Sequence, residues 1–285
     1  MLNPAFFYFL YFLLFPDRQV VRQLRFEKQV PSKKFYNENV LVNADKENVY
    51  YKVNYQLNFG INEVPFNNST IYVVKIKPDS TLKIIPPKIG GTSFDDLKSE
   101  FKSVKFLMNA GMFHENYKPV GLLIEKGKIV SPLDSTITPN FGNFYMYPNG
   151  VFVLNKSFTP KVLITDLYKS FHLNDPNVLY ATQSGPILVY NGQIHPGFSS
   201  TSTNKNIRNG IGVTKNGEII FAISQSPITF YDFALAFREL FNCPNALYLD
   251  GAISELFYNN PKKGPIFVNK TDNKKFGPVF LLQEK

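Results

Sequence analysis

The sequence contains no tryptophan, one cysteine (Cys243) and three histidines (His114, His172 and His195) in 285 residues. A single cysteine excludes an intramolecular disulfide and any cysteine-based metal cage. Three isolated histidines argue against a histidine-rich metal centre, so neither a metal nor a cofactor is expected. One thiol fits a reducing compartment, but many exported proteins also lack disulfides, and the count does not choose between them. No arginine-rich helix, RNP-like strand or zinc-finger spacing is present. The net charge is +9, yet the basic residues sit in short clusters such as Lys33-Lys34, Lys262-Lys263 and Lys274-Lys275. Such clusters read as solvated surface, and no nucleic-acid partner is expected.

Phenylalanine is abundant instead, with 28 residues beside 16 tyrosines, and 44% hydrophobic against 19% charged residues is ordinary for a folded globular chain. Eleven consecutive apolar residues, AFFYFLYFLLF, occupy positions 5–15. That run is too short to span a bilayer and has the length of a signal-peptide core. No Lys or Arg precedes it, no A-x-A site follows it, and PDRQVVRQLRF puts positive charge on the unusual side. The expectation is an apolar leader over 1–16 that directs export or ties the chain to a membrane through residues 5–15. A periplasmic, secreted or membrane-anchored location follows, with a cytoplasmic one as the alternative.

An N-terminal extension is expected over 17–65, with a strand at 50–59, and the main domain over 66–283. The alternation of TIYVVKIKP (70–78) and TLKIIPP (81–87) predicts strands joined by a turn at Pro78-Asp79-Ser80. SFDDLKSEFKS predicts a short helix capped by Ser93 with Asp96 three residues on, followed by the strand VKFLM. Asn-Gly pairs at 149–150, 191–192 and 216–217, and EKGKIV at 125–130, predict hairpins. The polar stretch PGFSSTSTNKNIRNG (196–210) predicts a long loop, either a substrate-side lid or a disordered excursion. GEIIFAIS, TFYDFALAFRELF and ALYL predict strand, helix capped by Thr229 and Asp232, then a parallel strand. The fold class is mixed α/β, or α+β: a central mixed twisted sheet with hairpins and a few flanking helices.

That crossover places Ser224 and Asp250 on the same sheet edge, where α/β sheets bind ligands. Asp250 before Gly251 fits either a catalytic carboxylate or a residue that merely starts a turn. Gly251, lacking a Cβ, would let a ligand or another backbone approach. SFDDL…VKFLMNAG echoes TFYDF…NALYLDGA, which puts Asn109 and Asp250 at matching strand ends. TQSGPIL offers Gln183, Ser184 and the backbone at Gly185 to sugar hydroxyls or phosphate oxygens, or is an ordinary tight turn. Arg208 could grip an anion with two hydrogen bonds or lie on the surface. His195 before Pro196 fits a site or a turn equally.

Taken together, IYVVKI, NAGMFHENYKPVGLLIEKGKIVSPL, GNFYMYPNGVFVL, YATQSGPILVYNGQIHP, IRNGIGV and FAISQSPITFYDFALAFRELFNCPNALYLDGAIS resemble the phosphodiester glycosidase family, most closely its bacterial branch. The resemblance implies an exported hydrolase of carbohydrate that cleaves the glycosidic bond of a sugar-1-phosphodiester and releases sugar and a phosphate monoester. A non-catalytic glycan- or phosphoglycan-binding protein of the same fold is the alternative. It implies catalytic roles for Asp250, Arg208 and Asn109 and substrate contacts from Gly111, Gly185, Gly251 and Ser254, to which the residues' own chemistry adds Gln183, Ser184, His195 and Glu255 as substrate-binding candidates. Arg208 would hold the phosphate; Glu115, Asp232 and Glu255 are candidates for a second carboxylate. Ala110 and Ala252 stand where the wider family has glycine, so the substrate need not be that of the family's animal member.

Overall fold

The computed structural model describes residues 56–67, 69–136 and 142–284. The predicted leader over 1–16 and residues 17–55 of the extension lie outside the described residues; of the strand expected at 50–59 only 56–59 are described, and they are not strand, the first strand beginning at Gly60. Three sheets make up the described chain. The first has the order β1 (Gly60–Phe66), β2 (Ser69–Ile76), β13 (Ile219–Ser224), β12 (Asn209–Val213), β14 (Asn245–Tyr248), β10 (Ile187–Tyr190) and β11 (Gln193–Ile194). The second runs β16 (Gly264–Val268), β15 (Leu256–Asn260), β4 (Val104–Asn109), β17 (Val279–Gln283) and β3 (Leu82–Ile85). The third runs β6 (Lys128–Ser131), β5 (Leu123–Glu125), β9 (Val178–Ser184), β7 (Gly150–Asn155) and β8 (Pro160–Ile164).

The mixed α/β class stands, but one central mixed sheet gives way to three sheets whose paired strands are antiparallel. The reason lies in the crossover. β13 and β14 do run the same way, but β12 lies between them and pairs antiparallel with both. The intervening hairpin strand takes the hydrogen bonds that a parallel pair would have made. Both strands still end on one edge, as the crossover requires.

Among the described residues, three short helices cover the sheets. α1 (Phe94–Glu100) starts with the predicted reciprocal cap: the Asp96 N–H donates to Ser93 Oγ at 3.0 Å and the Ser93 N–H to Asp96 Oδ2 at 2.9 Å. α1 buries Phe94 and Leu97 against Leu107, Phe257 and Leu281 of the second sheet. α2 (Thr165–Phe171) packs Tyr168 on the third sheet. α3 (Phe230–Leu235) is capped by Thr229 and continues as a π-turn over Ala236–Leu240, laying Phe233, Phe237 and Phe241 on the first sheet.

The abundant phenylalanine has a structural use. Phe106 of β4 lies 4.8 Å from Phe221 of β13, which lies 5.0 Å from Phe280 of β17, itself 5.7 Å from Phe152 of β7. These fully buried rings come from all three sheets. Their tilted and edge-on contacts fill the space where the sheets' inner faces meet.

The hairpins at Lys126-Gly127, Asn191-Gly192 and Asn216-Gly217 form as predicted, with positive φ at each of those glycines. The pair at 149–150 does not make a hairpin. Gly150 opens β7, where a side chain would collide with Ile187 Cδ1 of the first sheet, and Asn149 is a buried tie that donates to the Phe144 carbonyl at 3.1 Å. The turn at Asp79 is present, but it passes the chain from the first sheet to the second instead of pairing its flanking strands.

Candidate active site where strand ends meet

β4 ends at Asn109 in the second sheet, and β14 of the first sheet ends at Tyr248, two residues before Asp250. The two ends are laced together. Asn109 Nδ2 donates to the Asp250 carbonyl at 2.7 Å, and the Asp250 N–H donates to the Ala110 carbonyl at 3.3 Å. Asn109 Oδ1 accepts from the Glu255 N–H at 3.1 Å and from Asn209 Nδ2 at 3.0 Å. With the side chain fully buried and committed on both sides, Asn109 is a tie between sheets and not a group offered to a ligand. Asn209, which the sequence reading passed over beside Arg208, supplies the third strand end. Its own Oδ1 is buried without a partner among the described residues.

Asp250 itself keeps some surface. Its carboxylate accepts from the N–H groups of Ala252 and Phe113, which favours ionisation, but burial outweighs them and pushes its pKa up to about 6. The two N–H groups come from the turn behind β14 and from the loop after β4, so the lacing of strand ends also aims the donors. A partly buried carboxyl poised near neutral pH is what acid–base chemistry requires.

Gly251 is tightly confined, though not by a ligand. A Cβ there would overlap the Tyr248 hydroxyl and lie 3.0 Å from the Ile207 carbonyl. Gly111 is likewise filled by protein, against the Gln183 carbonyl and Thr182 Oγ1, and Gly185 by the Phe144 carbonyl at 2.6 Å. These glycines serve close packing of the strand ends, and the ligand approach expected of them is already taken by the chain.

Gln183 and Ser184 lie in β9, not in a turn; only Gly185-Pro186 separates β9 from β10 and carries the chain from the third sheet to the first. Gln183 is not available to sugar hydroxyls. Its Oε1 accepts from the N–H groups of Leu122 and Asp134, both at 3.0 Å, and its Nε2 donates to the Asp134 carbonyl at 2.6 Å and to Thr165 Oγ1 at 3.2 Å. All four of its bonding positions are used inside the protein. Gln183→Leu is therefore expected to cost about 2 kcal/mol or more of folding stability, because it strands one buried and one half-buried backbone donor. Urea denaturation measures it, and a midpoint unchanged from wild type would contradict the reading. Ser184 Oγ, by contrast, is buried with no hydrogen-bond partner among the described residues.

Arg208 is only 1% exposed, against the expectation of a cation open to phosphate. Its Nε donates to the Ile228 carbonyl at 2.8 Å and its Nη2 to the Asn204 carbonyl at 3.2 Å, and its guanidinium stacks 3.5 Å over the Phe230 ring. No carboxylate among the described residues pairs with it. A phosphate would have to lift the segment around Asn204 to reach this charge. His195 is not open to substrate either. It accepts the Gly197 N–H at Nδ1, its Nε2 faces the Tyr147 carbonyl, and burial depresses its pKa to about 4, so it stays neutral. Its ring stacks on Phe198, and Phe198 stacks on Phe230, which makes a column that ends on Arg208. The expected loop over 196–210 is thus pinned by Phe198 and by the pairing of Asn206 with Ile228.

Ser254 turns inward and donates to the Gly251 carbonyl at 3.1 Å. Of the candidate second carboxylates, Asp232 is spent on its cap, where its Oδ2 accepts from Thr229 Oγ1 at 2.9 Å. Glu115 is exposed on the small loop closed by the Phe113 and Pro119 bridge. Glu255 is buried, with Lys274 Nζ 3.7 Å from Oε2, and burial still raises its pKa despite that lysine. Among the described residues no group of three or more His, Cys, Asp or Glu side chains could hold a metal ion. Nor is any helix among them long and apolar enough to cross a membrane.

Three antiparallel sheets joined at their strand ends around a poised carboxylate define a fold with known relatives. It is shared with the catalytic domain of zebrafish N-acetylglucosamine-1-phosphodiester alpha-N-acetylglucosaminidase, solved in a form auto-inhibited by its pro-peptide, at a TM-score of 0.56 and 14% identity over 80% of this chain and 83% of that one. A Synechocystis protein of known structure superposes with a TM-score of 0.52 and 14% identity, covering 78% of this chain and 61% of its own. In sequence, the chain is 36% identical over 154 residues to the uncharacterised Escherichia coli (strain K12) protein YigE, spanning 54% of this chain and 58% of that relative. Residues 102–279 match the phosphodiester glycosidase family model, and the chain belongs to that family.

Proposed function

We propose that the protein hydrolyses the glycosidic bond of a sugar-1-phosphodiester, releasing the sugar and a phosphate monoester, and that it acts on an exported or surface glycan. The observation that carries this reading is Asp250, a carboxyl raised to about 6 at the junction of strand ends in a phosphodiester glycosidase domain. The name of the zebrafish enzyme of like fold supports the bond class.

The chemistry suits a single poised carboxyl. A phosphate monoester is a far weaker base than a sugar alkoxide and leaves with little help from a proton donor. What the reaction needs is negative charge near the anomeric carbon as positive charge develops there. Ionised Asp250 supplies it, whether by electrostatic stabilisation, by attack on carbon or by taking a proton from water. Glu255, held in the same turn by Asn109, is the second carboxylate closest in chain and in bonding to Asp250. Its role would be to bind sugar hydroxyls or orient water, with Lys274 beside it for the anionic part of the substrate.

The test is incubation of purified protein with a panel of glycosyl-1-phosphodiesters in ¹⁸O-labelled water. Free sugar carrying the label is the expected product. Label in the phosphate instead would mean cleavage at phosphorus, and binding without any release across the panel would make the protein a glycan-binding module.

A further inference from the structure

Arg208 presents a problem that neither the family nor the proposed reaction resolves. A buried guanidinium with no carboxylate partner among the described residues is costly, since two carbonyls and an aromatic face compensate only part of its lost hydration. Its remaining contact is with Tyr248, whose ring centre lies 5.6 Å from the guanidinium carbon and whose hydroxyl accepts a hydrogen bond from Arg208. The same hydroxyl accepts the Gly251 N–H and feels the charge of Asp250. Gly251 has no side chain because the Tyr248 hydroxyl fills that space. A cation, a hydroxyl and a backbone N–H thus form a continuous chain that ends on the residue after Asp250.

We propose that Tyr248 couples the buried Arg208 to Asp250, so that Arg208 and Tyr248 act as positioning residues for the reactive carboxylate and not as a phosphate clamp. Arg208 fixes the Tyr248 hydroxyl, and the hydroxyl fixes the Gly251 N–H. That in turn sets the plane of the turn from which Asp250 projects. The positive charge, two links away, also favours the ionised carboxylate. The column His195–Phe198–Phe230 presses Arg208 from the other side and leaves it one orientation. The groups that face Asp250 are the Tyr248 hydroxyl and the N–H groups of Ala252 and Phe113, while Glu255, five residues on, is paired with Lys274.

This inference rests on the proposed hydrolysis for its kinetic consequences, but its structural core can be tested without turnover. Tyr248→Phe keeps the ring and removes the hydroxyl, and Arg208→Met removes the charge at similar length. Each is expected to lower kcat about tenfold or more while KM and inhibition by inorganic phosphate change less than about threefold. A phosphate-binding arginine would give the reverse split, with KM and the phosphate inhibition constant rising and kcat held, and that result would overturn the proposal. Independently, the Asp250 carboxyl carbon can be followed by ¹³C NMR in labelled protein. Arg208→Met is expected to raise its titration midpoint by about half a unit or more, because a cation sharing a buried cluster is lost. An unmoved midpoint refutes the coupling whether or not any substrate is turned over. If Arg208→Met fails to fold, the kinetic split in Tyr248→Phe decides.

Discussion

Replacing Asp250 by Asn is expected to lower kcat/KM about 1,000-fold or more and, at the same time, to make the folded protein more stable near neutral pH. The first effect follows from removing a negative charge held at the strand junction by two N–H donors. The second follows from its pKa. The folded protein holds the Asp250 proton up to about pH 6, while an unfolded chain releases it near the ordinary aspartate value of 3.8. Stability from this group is therefore full below about pH 4 and is lost as pH rises through about 6. Two units of displacement correspond to about 3 kcal/mol, which Asn, never ionised, does not lose. His195 acts in the opposite sense. Its folded pKa lies near 4, below the usual 6.5, so its contribution is present above about pH 6.5 and is lost as pH falls through about 4. In the wild type the two slopes oppose each other. In Asp250→Asn the histidine slope is unmasked, and the urea midpoint should climb steadily across that window. Unchanged turnover would remove Asp250 from the mechanism. A stability difference that does not grow with pH would show that its carboxyl is solvated.

Gly251→Ala is the second large effect, expected to cost about 3 kcal/mol of stability and about 100-fold in turnover. The backbone at Gly251 is not in the left-handed region, so alanine is conformationally acceptable there. The obstacle is the Tyr248 hydroxyl, which occupies the place of the added methyl, with the Ile207 carbonyl 3.0 Å away on another side. Tyr248 is 2% exposed and cannot swing out, so the turn carrying Asp250 has to shift. Pairing the change with Tyr248→Phe discriminates between causes. Removal of the hydroxyl should restore much of the lost stability to Gly251→Ala, although not its turnover. Equal denaturation midpoints for the single and double variants would show that the clash lies elsewhere.

The elements with strong local signals were legible in the sequence. The Ser93 and Thr229 caps, the apolar stripe of α3 and the hairpins at 127, 192 and 217 depend on neighbours a few residues apart, and these form as expected. The sheet arrangement was not legible in the same way. Strands β2 and β3 are joined by a recognisable turn yet lie in different sheets, and nothing near Asp79 encodes that divergence. Likewise, β12 lies between β13 and β14 only because its hairpin with β13 folds back over the crossover. At the site, Asp250 and Asn109 could be singled out by the repeated helix–strand pattern that ends on each. Tyr248, Asn209 and the sealing of Arg208 could not. Tyr248 reads as one more apolar strand residue, and the burial of Arg208 depends on Phe230 and Asn204, which reach it from separate segments.

The pairing of β17 has a consequence for the order of events during synthesis. β17 lies inside the second sheet, between β3 and the central β4, and its Val279 stands opposite Asn109, while the Pro278 carbonyl accepts the Ala110 N–H at 2.8 Å. Asn109 is made early, and the strand that completes its surroundings follows some 170 residues later. Until the ribosome has passed residue 283 and that strand is released, β4 lacks one flank and the tie to Asp250 has no fixed anchor. The surroundings of Asp250 are thus completed only after β17 is made, by a long-range closure whose entropy cost makes it slow. A nascent chain lacking 278–283 is expected to leave Asn109 and Ala110 without the partners that β17 and Pro278 supply.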